Sequence, residues 1–230
     1  MTRRPDLPQG SEKEQMVRSM FDRIAPRYDL LNRMMTLGAD RVWRRRTVRE
    51  LGLPQGSLVL DVACGTGDLC SELEQQGHRA IGADFAHEML VRRHTSAPVV
   101  QADALRLPLG TASVDGVTCG FALRNVVDLV ALFEEATRVI RPGGRGAFLD
   151  VAEPTSKVVR AGHGLYFRKV VPVVGGLLSD REAYRYLPQS TSYLPPTAEI
   201  VSMMETAGFE DVEAKSLGLG GVQLLVGTRR

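Results

Sequence analysis

Only three cysteines occur among the 230 residues, Cys64, Cys70 and Cys119, an odd number with no CxxC pair. A disulfide scaffold is thereby excluded, and a reducing, cytoplasmic setting fits best. None of the three has a histidine at ligand spacing, so no metal site is expected. Long apolar runs are also missing, and the opening MTRRPDLPQG lacks the apolar core of a signal peptide, so no membrane span is expected. Charge of one sign is scarce as well: a net +2 is too small to imply a nucleic-acid partner. The exception is local, in Arg41, Arg44, Arg45, Arg46 and Arg49. That cluster reads as a solvated helix face or as a peripheral contact with anionic lipid headgroups at the inner face of a membrane.

What the chain does have is centred on residues 57–69, SLVLDVACGTGDL. Leu58, Val59, Leu60 and Val62 form a short apolar run bounded by Gly56 and Gly65, the signature of a buried parallel strand. Gly65-Thr66-Gly67 then free the backbone for positive φ and close approach to a ligand, and Asp68 opens a helix. A strand, a glycine turn and a helix N-terminus together make a cofactor site. A dinucleotide fingerprint would need a third glycine at position 70, which is Cys70, and no lysine follows as a phosphate loop requires. Asp61 and Asp68 flank the turn instead. Carboxylates there repel a pyrophosphate and suit a ligand carrying an ammonium and a sulfonium, such as S-adenosylmethionine.

The next two strands end in acids too. His78 to Asp84 delivers Asp84 where nucleotide-binding α/β folds hold a ribose diol, and Val99 to Ala102 leads to Asp103-Ala104, placed to meet adenine. Ser113 to Cys119 reads as a fourth strand that brings Gly120-Phe121-Ala122-Leu123-Arg124-Asn125 to the same edge. Arg141-Pro142-Gly143-Gly144 stops the following helix before a fifth strand, Gly146 to Val151, and Val222 to Val226 reads as a final antiparallel edge strand. The expected fold is a doubly wound, mostly parallel α/β sheet of seven strands.

VLDVACGTGDL, GADFAHEML, QADALRLPL, FALRNV and RVIRPGG resemble the motifs of class I S-adenosylmethionine-dependent methyltransferases, whose fold is Rossmann-like. FDRIAPRYDLLN, GFALRNV and YRYLPQS resemble more narrowly the family that C-methylates the quinone ring in menaquinone and ubiquinone biosynthesis, over a span from about Met20 to near the C-terminus. The resemblance implies transfer of a methyl group from S-adenosylmethionine to a hydrophobic prenylated quinol, demethylmenaquinol above all. Another phenolic or polyketide-like acceptor, or a non-catalytic cofactor-binding module, stays open. Two departures stand out. Leu149-Asp150-Val151-Ala152-Glu153-Pro154 replaces a Glu-Phe-Ser-Lys-Pro type stretch, and Gly120 stands where many members have Ser.

The cofactor-binding residues implied are Asp61, Gly65, Thr66, Gly67, Asp84, Phe85, Asp103, Ala104, Cys119 and Gly120. Cys64 and Cys119, at strand ends, are expected as small pocket-lining residues. A ring carbon is a weak nucleophile until an adjacent phenol loses its proton, so Arg124 is assigned as the cation that lowers a phenol's pKa or orients a water, and Asn125 as the group that fixes that water. The competing reading of Arg124 is an ion pair with Asp128. Tyr28, Arg23, Tyr184 and Tyr186 are further substrate candidates, while His87 and His163 read as solvent-facing helix residues.

Residues 1–15 are expected to be a disordered tail and 16–230 one methyltransferase domain. Ser11 to Glu14 offers a capping box for a first helix, and helices over 16–55 either close the site or pack on the sheet. Residues 152–194 break the alternation as an insertion in which Val158 to Val171 has helical periodicity; it reads equally as a lid over substrate or bilayer and as core. A homodimer is left open.

Overall fold

The computed structural model describes residues 8–152 and 190–230. Seven strands form one sheet: β1 (Leu58–Val62), β2 (Arg79–Asp84), β3 (Val99–Gln101), β4 (Val114–Gly120), β5 (Ile140–Val151), β6 (Phe209–Leu217) and β7 (Val222–Arg229), in the order β3-β2-β1-β4-β5-β7-β6. The first five pair in parallel, and β7 runs antiparallel to both β5 and β6. This is the doubly wound α/β sheet expected. The strand order turns around between β1 and β4, so the crevice outside their carboxyl ends is the place where such sheets bind ligands.

The last strand corrects one expectation. β7 is not the edge: it lies between β5 and β6, and β6 takes the edge. Leu224, Leu225 and Val226 are all buried, as befits a strand covered on both faces, whereas β6 alternates largely exposed residues after Phe209.

Strand alternation divides the core. Phe148 faces Phe133 and Phe209, its ring centroid 5.0 Å and 5.8 Å from theirs in edge-to-face contact. Its neighbour Leu149 points the other way, into a cluster with Leu51, Val59, Leu73 and Leu224. The helices covering these faces are α1 (Gly10–Ile24), α2 (Tyr28–Thr36), α3 (Ala39–Leu51), α4 (Asp68–Gln75), α5 (His87–Val91), α6 (Leu129–Val139) and α7 (Thr197–Thr206).

Two further boundaries differ from the sequence reading. α1 starts at Gly10 with no side-chain cap at Gln9, so Ser11 and Glu14 lie inside the helix and the expected tail reaches past its start. Tertiary contact fixes this end instead: Lys13 is buried, donates to the Val126 carbonyl at 2.7 Å and lies over the Tyr193 ring at 4.0 Å. β5 begins at Ile140, six residues early, because Ile140 pairs with Val114 and the Pro-Gly-Gly segment is taken up as an irregularity within the strand. The helical periodicity of Val158 to Val171 lies outside the described residues. No helix among those described is long and apolar enough to cross a membrane.

Candidate active site

A cleft of about 820 Å³, open to solvent, lies over the carboxyl ends of β1, β2 and β4. Gly65, Asp84, Phe85, Asp103, Ala104 and Gly120 line it, six of the ten residues assigned to a cofactor. Two other lining residues, Ala63 and Phe121, have φ of +54° and +60°. An L-residue pays roughly 1–2 kcal/mol for that conformation. The two strained residues follow adjacent strands, β1 and β4, and both border the cleft.

Asp84 organises the turn. Its carboxylate accepts the backbone N–H of Gly65 and of Ala86, both at 2.8 Å, and burial pushes its pKa up to about 6. Gly65, at φ +57°, has open space where a Cβ would stand except for the Tyr28 ring, so bare backbone faces the cleft. Asp103 accepts the Leu105 N–H at 2.9 Å, which holds the third strand tip against the cleft.

The other assigned residues lie elsewhere. Asp61 and Cys119 sit beneath the floor, fully buried, and neither lines the cleft. Asp61 accepts from Thr118 on the neighbouring β4 at 2.8 Å and from the Cys70 thiol on α4 at 3.7 Å; burial pushes its pKa up to about 7. Cys64 is not pocket-lining either, because its sulfur packs against Gly82, where an added Cβ would meet it at 2.7 Å. Gly67 ends the turn at φ +92° against Thr95, and Thr66 donates to Asp29 at 2.7 Å. These two shape the turn from behind.

Asn125 and Tyr28 line the cleft. Tyr28 packs edge-to-face on Phe21 at 5.9 Å, and burial raises its phenol pKa. Arg124 does not line it. The guanidinium pairs with Asp150 and donates to the Phe121 carbonyl at 2.8 Å, while the Arg124 backbone N–H donates to Asp150 at 3.1 Å. The partner is therefore Asp150 at the end of β5, not Asp128, which instead caps α6 by accepting the Ala131 N–H at 3.0 Å. Arg23 is exposed on α1 and donates to Ser19 at 3.0 Å. His87 is exposed, as expected. Tyr184, Tyr186 and His163 lie outside the described residues.

The N-terminal helices divide between the two readings: Glu14, Val17 and Phe21 of α1 form one wall of the cleft, whereas Val48 and Leu51 of α3 pack on the sheet. The sequence signal was present in the apolar stripe of α1, whose buried face meets Phe85 rather than the sheet. A clasp escaped the sequence entirely. His94 reaches Asp68 at 3.0 Å and Asp29 at 3.5 Å, so α2 is tied across the glycine turn to the start of α4. Both carboxylates have further partners, Thr66 for Asp29 and Arg44, at 3.2 Å, for Asp68. This is a hydrogen-bonded latch built from residues distant in sequence.

The ubiE/COQ5 methyltransferase family model matches residues 9–229. The chain belongs to that family. Membership makes S-adenosylmethionine its methyl donor, and the residues fit that group: open glycine backbone at one strand tip, Asp84 at the next and Asp103 with Ala104 at the third. A demethylmenaquinone methyltransferase of Roseiflexus sp. (strain RS-1) is 42% identical over 97% of this chain and 98% of its own length. A ubiquinone/menaquinone biosynthesis C-methyltransferase of Syntrophotalea carbinolica is 39% identical over 94% of each. The fold matches a SAM-dependent methyltransferase structure from Thermotoga maritima with a TM-score of 0.67 at 20% identity, covering 93% of this chain and all of that one. In this family member the assigned pocket acids thus split into two groups, with Asp84 and Asp103 in the cleft and Asp61 buried beneath it.

Proposed function

We propose that this enzyme methylates a ring carbon of a prenylated quinol, demethylmenaquinol before others, in the cytoplasm and in peripheral contact with the membrane that holds its substrate. The names of relatives alike over almost their whole length carry the reading of the substrate. The cleft supports it: Val17, Phe21, Phe121 and Val126 give it apolar lining suited to an aromatic ring and its tail.

When bound, S-adenosylmethionine supplies an electrophilic methyl whose positive charge is lost on transfer. The work left to the protein is to orient, exclude water and manage two protons. Gly65, Asp84, Phe85, Asp103 and Ala104 would hold the donor, and Asp84, which keeps the glycine turn in place, would give its ribose a charged acceptor. Asp150 fixes the Arg124 guanidinium beside Asn125. From behind the cleft wall that cation favours the phenolate over the phenol through a water fixed by Asn125, which does line the cleft, and so raises electron density on the adjacent ring carbon. The phenol proton leaves to water; the proton on the methylated carbon leaves last and restores the aromatic ring. Tyr28 borders the cleft as a contact for the quinol ring.

The test is incubation with methyl-labelled donor and a short-chain demethylmenaquinol, read by NMR. The expected product carries the label on a ring carbon. Label on oxygen, or no transfer, overturns the reading.

A further inference from the structure

α2 and α3 meet at Leu37-Gly38, both left-handed. Leu37 has φ +52° and is 84% exposed, so a bulky apolar residue occupies a position where glycine or asparagine would be more stable, and it buries almost nothing. The same combination occurs once more: Leu219, in the turn between β6 and β7, has φ +57° and is 85% exposed. Both turns border α3: Leu37-Gly38 leads into it, and the turn that carries Leu219 packs on it through Gly218. Gly218 packs against the Trp43 ring so closely that a Cβ would come within 2.9 Å of it, and Trp43 is flanked by Val42, which is 64% exposed. Leu30, on α2, is 50% exposed.

The charges around these side chains are of one sign. Between residues 30 and 49 the sole acid is Asp40, which is buried and paired with Arg44. Arg41, Arg45 and Arg49 follow at intervals of four along the exposed row of α3, and Arg33 is exposed on α2. Arg45 reaches Glu72 at 3.5 Å, whereas Arg33, Arg41 and Arg49 have no ion-pair partner among the described residues. The Arg44 and Arg46 of the sequence cluster are engaged in ion pairs, with Asp40 and Glu50. The surface also adjoins the cleft, because Trp43 contacts Phe121 with ring centroids 6.2 Å apart and Phe121 lines it.

We propose that Leu37, Leu219, Val42 and Leu30, ringed by Arg33, Arg41 and Arg49, form the surface by which this enzyme docks on an anionic lipid bilayer. Strained apolar side chains enter the headgroup region and arginines meet the lipid phosphates. The inference rests on the reading of the substrate as a membrane-held prenylated quinol and names the surface that reaches it.

The experiment is co-sedimentation of the full chain with vesicles of phosphatidylcholine alone or with about one third phosphatidylglycerol. Asparagine tolerates left-handed backbone, so Leu37→Asn/Leu219→Asn keeps the fold while removing the wedges. The wild type is expected to bind the anionic vesicles and to leave the neutral ones, less so at high salt. The double variant is expected to bind them at least roughly tenfold more weakly, and Arg41→Gln/Arg49→Gln to flatten the salt dependence. Turnover of a soluble short-chain quinol stays at the wild-type rate in both. Equal binding by wild type and both variants overturns the proposal, as does a wild-type dimer that the leucine variant dissolves, which would make the patch an interface between copies. Methylation of the short-chain quinol without vesicle binding sinks the docking surface alone; vesicle binding without methylation of any quinol sinks the assigned substrate and leaves the surface standing.

Discussion

The carboxylate of Asp84, at the tip of β2, accepts the backbone N–H of Gly65 at the tip of β1 at 2.8 Å. One side chain thus supports the turn and faces the cleft. Asp84→Ala is expected to weaken donor binding at least tenfold, since hydrogen bonds to a charged group contribute about 1.5–3 kcal/mol. It should also lower the melting temperature, because the N–H groups of Gly65 and Ala86 lose their acceptor. Asp84→Asn keeps an acceptor and is expected to recover stability more than affinity. Calorimetric titration and thermal melts separate the two effects.

Asp61 and Asp84 give the protein a pH dependence of definite sign. Burial raises both, to about 7 and about 6, above the unfolded carboxylate range. Their contribution to stability is therefore fully present below the unfolded pKa, near 4, and is lost as pH rises through 6 to 7. Binding of a cationic donor runs the other way, because it favours the ionised carboxylates. Affinity for S-adenosylmethionine is expected to rise between pH 5 and 7.5 with release of protons, which titration in buffers of different ionisation enthalpy measures.

Removing Arg124 alone would leave Asp150 buried without its cation, which costs about 3–5 kcal/mol in such pairs. Arg124→Gln/Asp150→Asn removes both charges together and is the cleaner variant. It is expected to bind the donor as the wild type does and to lose roughly 10²–10³ in kcat, the scale of a lost electrostatic contact to developing charge. An unchanged kcat removes Arg124 from the mechanism.

Gly67 has φ +92°, and a Cβ there would lie 2.4 Å from Thr95 Cγ2. Gly67→Ala is expected to destabilise by about 2–4 kcal/mol through overpacking and backbone strain. Adding Thr95→Ser deletes the clashing methyl and keeps the hydroxyl that donates to Glu74 and accepts from Ala97. The double variant should recover part of the loss, with the strain remaining. Urea unfolding of the three proteins gives the comparison.

The strands, the glycine turn and the acids at the ends of β2 and β3 were legible because each is a local pattern: apolar runs, glycine spacing, a carboxylate at a strand tip. The depth of Asp61 was not legible, for a reason of the same kind. Position along β1 says that it lies near the cleft, and only the face of the sheet it takes says that it lies below. Arg124 follows β4 as the sequence suggested, but its partner Asp150 is 26 residues away at the end of β5, and no spacing rule reports that pairing. The latch of Asp29, Thr66, Asp68 and His94 draws on three separate stretches and leaves no trace in periodicity. The antiparallel turn of β7 was legible; its place inside β6 depended on which strand the sheet could cover on both faces.

The central claim is that the methyl donor lies across the tips of β1, β2 and β3 with its ribose on Asp84 and its adenine at Asp103 and Ala104. A crystal structure with S-adenosylhomocysteine tests it most directly. The expected result is a ribose hydroxyl within hydrogen-bond distance of the Asp84 carboxylate and the base against Ala104. A nucleoside seated elsewhere, with Asp84 bonded only to Gly65 and Ala86, would contradict it.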